Sequence, residues 1–135
     1  MKDKKVKMVV GRFTSSEKNL KAKLLASFWS DFLPFVLAAI KRPMYAGSAT
    51  FAIKEEIFRK VKGYNERLNS FEDAELTNKI AKKGEIVFDK KCVSFASMRR
   101  FEKDGYLKWL IIGSFISMYY FIKRKSFDKL YYPIR

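Results

Sequence analysis

The sequence contains no histidine and only one cysteine, Cys92. Without an imidazole there is no Ser-His-Asp triad, no Cys-His pair, no histidine-ligated zinc and no imidazole general base. A lone thiol forms neither an internal disulfide nor a thiolate zinc cage, which points to a reducing compartment. Any proton transfer therefore falls to carboxylates, lysines, tyrosines or Cys92. Acidic residues are also scarce: 14 Asp and Glu stand against 29 Lys and Arg, a formal charge of +15 over 135 residues. Internal repeats and low-complexity linkers are lacking. What is present is apolar: 48% hydrophobic and 16% aromatic residues exclude a disordered polyelectrolyte. The length suits one domain with a real core.

The basic residues are spread in small clusters, at Lys2 to Lys7, Lys41-Arg42, Arg59-Lys60-Lys62, Lys82-Lys83, Lys90-Lys91, Arg99-Arg100 and Lys123 to Lys125. Such an excess favours polyanions, namely nucleic acid, an anionic membrane surface or phosphate-bearing ligands. The plainer reading is a solvated basic surface. Nucleic acid ranks last, because no nucleic-acid-binding motif is found and an acidic helix start argues against it. No signal peptide is expected: the apolar run behind Lys2 to Lys7 is short, and Arg12 follows it.

Along the chain, Val6 to Phe13 alternates and reads as a strand. Ser15 or Ser16 is placed to cap a following helix, with Glu17 in its first turn. Leu24 to Ile40 is strongly apolar, interrupted by Asp31 and Pro34. It falls short of the roughly 20 apolar residues of a bilayer span, so a buried or interfacial helix kinked near Pro34 is expected. Gly47 to Ile53 reads as a glycine-entered strand, and Lys54 to Lys62 as a helix stopped by Gly63. Tyr64 to Asn69 is a polar loop. Ser70 to Lys83 is the clearest helix, ended by Gly84. Glu85 to Phe88 and Cys92 to Ala96 read as a strand pair around Asp89-Lys90-Lys91. The apolar block Trp109 to Ile122, flanked by Lys108 and Lys123-Arg124-Lys125, makes a helix of about 21 Å. Its terminal aromatics and cations suit a membrane interface; a core helix is the competing reading.

The stretch from Gly47 to Gly84 carries the chemistry. Gly47-Ser48 opens a small-residue strand, a helix follows, then Lys62-Gly63-Tyr64-Asn65-Glu66, then Glu72-Asp73 at the start of the next helix. In that order the motifs resemble the second half of a family 2 glycosyltransferase of the GT-A type. There a glycine-entered strand and a helix precede a Gly-Gly-Phe-Asp-Glu-like turn and a Glu-Asp pair. This chain departs from the turn at the first glycine, the Phe and the Asp, where it has Lys62, Tyr64 and Asn65. Ser97-Met98-Arg99-Arg100 is similar to an arginine-bearing segment of the family. The likeness covers Gly47 to Gly105, and the flanks loosely.

The resemblance implies an α/β fold, mixed α+β when taken alone: a partial GT-A-like domain over 1–105 with a short mixed sheet flanked by helices. Residues 106–135 then form an apolar helix and basic tail. It implies transfer of a sugar from a nucleotide-sugar to a hydroxyl of a glycan or lipid-linked acceptor, with inversion. Asp73 would be the catalytic base, Glu72, Gly47 and Ser48 its active-site neighbours, and Arg99 and Arg100 the partners of the diphosphate leaving group. A carboxylate in a helix's first turn faces the positive end of the macrodipole, which favours its charged form. The competing reading of Ser70-Phe71-Glu72-Asp73 is a capping box, with Ser70 at N-cap and Asp73 at N3, worth about 1 kcal/mol. Arg99 and Arg100 equally read as surface cations.

The intact family also implies a divalent metal, Mg²⁺ or Mn²⁺, held by an Asp-x-Asp motif in a nucleotide-binding first half. This chain contains no Asp-x-Asp and no glycine-rich phosphate loop, so no metal ligands are identified in it. It resembles the acceptor-side half alone, expected to need a donor-half chain or self-association to cover its exposed sheet edge. The expected location is cytoplasmic, peripheral at the inner face of the membrane. The alternative function is a non-enzymatic basic module that binds anionic membrane or a partner protein.

Overall fold

A computed structural model describes residues 4–39, 50–68, 70–123 and 125. Among these residues three strands form a mixed sheet: β1 (Val6–Ser15), β2 (Phe51–Ile53) and β3 (Glu85–Ala96). The order is β2-β1-β3. β2 pairs antiparallel with β1, Met8 opposite Ile53 and Val10 opposite Phe51. β3 runs parallel to β1 from Val6 opposite Glu85 to Ser15 opposite Ala96. Among the described residues five helical segments accompany this sheet, and the fold class is mixed α/β as expected.

The first segment, Leu20–Ala39, is continuous. It comprises α1 (Leu20–Ser27), a π-helical turn (Phe28–Phe32) and α2 (Leu33–Ala39). The irregularity has a local cause. Pro34 has no N–H to give to the preceding turn, and the ladder widens just before it, with the Leu33 N–H reaching back to the Phe28 carbonyl. The same turn is tied to the sheet: the Ser30 hydroxyl accepts from the Phe13 N–H of β1 at 2.9 Å. The expected distortion near Pro34 is present, and it begins six residues earlier. The expected cap is different. Asn19, not Ser15 or Ser16, caps α1, its Oδ1 accepting from the Lys21 N–H at 2.9 Å. Ser15 is the last residue of β1, and Glu17 lies ahead of the helix.

The remaining helices are α3 (Glu55–Lys60), α4 (Glu72–Ala81), α5 (Arg99–Asp104) and α6 (Tyr106–Lys123). Met8 and Val10 of β1 join Ile57, Val61, Leu76 and Ile80 in one core. Phe13 joins Ala22, Ala26 and Met98 in a second. A third holds Leu37, Ala74 and Tyr120, tying α2, the start of α4 and the end of α6 together. Alternation along β1 slips at Gly11, and the core it feeds changes there too.

The expected strand pair Glu85–Phe88 and Cys92–Ala96 is one strand. Both halves of β3 pair in parallel with β1, and the register jumps between Val10, opposite Phe88, and Arg12, opposite Val93. The extra residues leave the ladder as a bulge, with the Lys91 N–H donating to Asp89 Oδ1 at 2.9 Å. Asp89-Lys90-Lys91 therefore bends the strand without reversing it. Gly11 makes room: a Cβ there would stand 2.5 Å from the Cys92 carbonyl oxygen.

Candidate functional site

The start of α4 gathers the candidate groups. Glu72, Asp73 and Glu75 occupy its first turn. The residue at N-cap is Phe71, in the left-handed region at φ 64°, ψ 18°, and its side chain makes no capping hydrogen bond. The Ser70 hydroxyl is buried with no hydrogen-bond partner. The expected capping box therefore does not form: Ser70 is not at N-cap, and Asp73 sits at the second helical position. The reason lies in Phe71. Its ring stacks on Tyr120 of α6, centroids 5.1 Å apart and planes within 12°, and packs against the third core. A left-handed backbone costs about 1–2 kcal/mol for a non-glycine residue, and an aromatic pair returns roughly 0.5–1.5 kcal/mol beyond its burial.

Tyr64 reaches this turn from the preceding loop. Its ring sits edge-on to Phe58 of α3, centroids 5.8 Å apart. Burial raises its hydroxyl above the ordinary tyrosine range, and the charges of Asp73 and Glu72 and a hydrogen bond to Asp73 push the same way. Lys62 and Gly63 are both left-handed, at φ 60°, and they fold the loop back onto α4. The loop is then pinned. Asn65 Nδ2 donates to Glu75 Oε1 at 3.2 Å, and Lys79 Nζ donates to the Gly63 carbonyl at 3.4 Å while pairing with Glu75 Oε2 at 3.2 Å. Asp73 is thus half-buried beside a phenol.

The scaffold sets where along the sheet this turn lies. A short turn joins α4 to β3, and Leu76 and Ile80 pack α4 back over Met8, Val10, Ile86 and Phe88. α4 therefore runs back over the amino-terminal half of the parallel pair β1 and β3, and at about 15 Å its opening stops short of their carboxyl ends at Ser15 and Ala96.

Arg99 and Arg100 open α5, just past the end of β3. Arg99 is exposed, and its Nε donates to Ser97 Oγ at 3.1 Å. The Arg100 guanidinium lies over the Trp109 ring, 5.8 Å from its centroid, an arrangement favourable for a cation. The arginines and Asp73 are not brought together. Arg100 meets α6 at Trp109, whereas Phe71, beside Glu72-Asp73, meets it at Tyr120. At about 1.5 Å rise per residue those contacts lie roughly 16 Å apart. Gly47 and Ser48 lie outside the described residues.

Two groups were not legible as site residues in the sequence. Tyr64 stands there only as part of a turn, and its approach to Asp73 depends on the left-handed pair before it. Glu17 reads as a first-turn acid, yet its carboxylate accepts from the Ser15 and Ser97 hydroxyls at 2.6 and 2.9 Å and from the Met98 N–H at 3.0 Å. Among the described residues, no group of three or more His, Cys, Asp or Glu gathers where it could hold a metal ion. No protein-family model, no curated protein and no solved structure matches the chain.

Proposed function

We propose that this chain is the acceptor-side half of an inverting, family 2-like glycosyltransferase, with Asp73 as its base. One observation carries the reading: the Glu72-Asp73 turn opens α4 with its capping alternative unmade, behind a left-handed Phe71. Backbone held in a sparsely populated region clusters at functional sites. A second feature supports the motif order. Lys62 stands at φ 60°, the glycine-favouring conformation, at the position where the family's turn has its first glycine.

In this reading an Asp73 carboxylate oxygen takes the proton of an acceptor hydroxyl. The acceptor oxygen bonds to the anomeric carbon as the nucleoside diphosphate departs with the electron pair of the broken C–O bond, and the configuration inverts. Tyr64, donating to the carboxylate, orients it toward the acceptor. Nucleotide-sugar and glycan or lipid-linked acceptor are the substrates, and the donor is bound by a partner chain or domain. Any divalent metal belongs to that donor half. Arg99 and Arg100 stay outside the reading, since Arg100 packs against the other end of α6.

The test is transfer of labelled sugar from nucleotide-sugars with Mg²⁺ or Mn²⁺, for the chain alone and reassembled with a donor-binding half. Asp73→Asn keeps the size and removes the base. The expected loss is on the order of 10²- to 10⁴-fold, with the fold unchanged by circular dichroism. Unchanged transfer by Asp73→Asn removes the assignment.

A further inference from the structure

α6 is apolar on two opposite faces. Trp109, Ile116 and Tyr120 are buried against the rest of the chain. Leu107, Ile111, Phe115, Met118 and Ile122 are exposed, Leu107 by 70% and Ile122 by 68%. At about 100° per residue the exposed five fall within an arc of roughly 80°, on the side away from the buried set. They form a stripe about 22 Å long. A helix apolar all round is buried or meets lipid.

The stripe does not end with α6. Leu107 lines a cavity of about 620 Å³ with Leu24, Leu25 and Phe28 of the first helical segment. Leu24 and Phe28 continue into a second cavity of about 480 Å³, lined also by Phe32 and Phe35. Leu20, Leu24, Phe32 and Phe35 are themselves exposed. Two helices thus share one apolar surface, larger than the scattered apolar residues of an ordinary soluble face.

Charge selects the occupant. Lys21 and Lys108 edge the first cavity and Lys90 the second. Asp31, which lines the second cavity, is paired with Arg12 at 3.1 Å. From Gly105 to Phe127 the sequence has no Asp or Glu, and it has Lys108, Lys123, Arg124 and Lys125. A second copy would bring the same cations against this rim, on a chain already at +15. An anionic surface meets it with the opposite sign.

We propose that α6 and the exposed side of Leu20–Ala39 form a docking face for a bilayer surface containing anionic phospholipid. α6 lies in the interfacial plane, its stripe in the acyl boundary and its lysines among the headgroups. The face is independent of the transferase reading, because none of its residues belongs to the Asp73 turn.

The experiment is flotation of the full chain, without any sugar nucleotide, on vesicles of phosphatidylcholine alone or mixed with phosphatidylserine. Binding is expected on the mixed vesicles, weakening as salt rises. The double substitution Ile111→Ser, Phe115→Ser changes exposed side chains and lowers partitioning at least tenfold, as the transfer energy of two large apolar groups requires. Lys108→Gln with Lys123→Gln narrows the difference between the two vesicle types. No binding to mixed vesicles at low salt overturns the proposal. So does binding indifferent to Ile111→Ser, Phe115→Ser. A dimer in solution that this double variant dissociates assigns the face to a second copy and likewise overturns it. Because no transfer is measured, failure here leaves the role of Asp73 untouched.

Discussion

Ser70 and Phe71 show how one residue's backbone decides the role of its neighbours. The pattern Ser-x-x-acid before an apolar run is a sound capping signal, and spacing alone gives no reason to reject it. What rejects it is a tertiary contact, the Phe71 ring on Tyr120, forty-nine positions away in the chain. The Ser70 hydroxyl, buried and without a partner, then costs desolvation and returns nothing. Ser70→Ala is therefore expected to leave stability unchanged or raise it by up to about 1 kcal/mol, whereas an N-cap serine would lose about 1 kcal/mol on the same change. Urea unfolding of the two proteins separates these outcomes. The same reasoning explains which part of the site could be read early. Glu72-Asp73 at a helix start follows from local pattern, but the approach of Tyr64 depends on Lys62 adopting a conformation that lysine rarely takes.

Among the elements, those with strong local periodicity were legible and those defined by pairing were not. β1, α4 and α6 follow from alternation, apolar spacing and glycine stops. The bulged β3 did not: a charged Asp-Lys-Lys insert between two apolar runs looks like a hairpin turn, and only β1, long enough to pair with both runs, makes it one strand. The contact between α6 and the π-helical turn is equally non-local. Gly113 lies where a Cβ would stand 2.6 Å from Trp29 Cζ2 and 2.9 Å from Cη2. That ring is held edge-on by Phe28 at 5.3 Å, so it has little room to retreat. Alanine in a helix interior gains up to about 1 kcal/mol over glycine, which sets propensity against packing at this site. Gly113→Val adds bulk without that gain. It is expected to lower stability by about 1–3 kcal/mol, the usual range for overpacking. Thermal unfolding measures the loss, and a shift in tryptophan fluorescence locates it at the helix contact. An unchanged melting temperature would mean that α6 does not press on Trp29.

At the scale of the whole molecule, a single carboxylate joins the end of β1 to the segment that leads from β3 into α5. Glu17 accepts from Ser97 Oγ, eighty residues later, and from the Met98 N–H. Met98 is buried in the second core beside Phe13, Ala22 and Ala26. The clasp thus fastens the first helical segment to the last two. Nothing in the sequence marks it, because its partners become neighbours only when β1 and β3 lie side by side, with Ser15 opposite Ala96. The hydrogen bond from the Ser15 hydroxyl lowers the Glu17 carboxyl most, burial opposes it, and the Met98 N–H and Ser97 hydroxyl add to the lowering. It falls from the ordinary 4.5 to about 2. A carboxyl lowered on folding stabilises the fold fully above its unfolded value and loses that contribution as pH falls toward its folded value. Glu17→Gln keeps the shape but offers an NH₂ where one oxygen accepted. The wild-type chain should therefore unfold at higher urea than Glu17→Gln at neutral pH. The gap should hold down to about pH 4.5 and close between there and about pH 2. A gap independent of pH across that window would assign Glu17 a packing role and leave α5 and α6 held by their apolar contacts. On a chain carrying +15, the test also separates this local tie from general charge repulsion. Added salt screens exposed repulsion in both proteins alike, whereas the pH-dependent gap belongs to the one carboxylate they do not share.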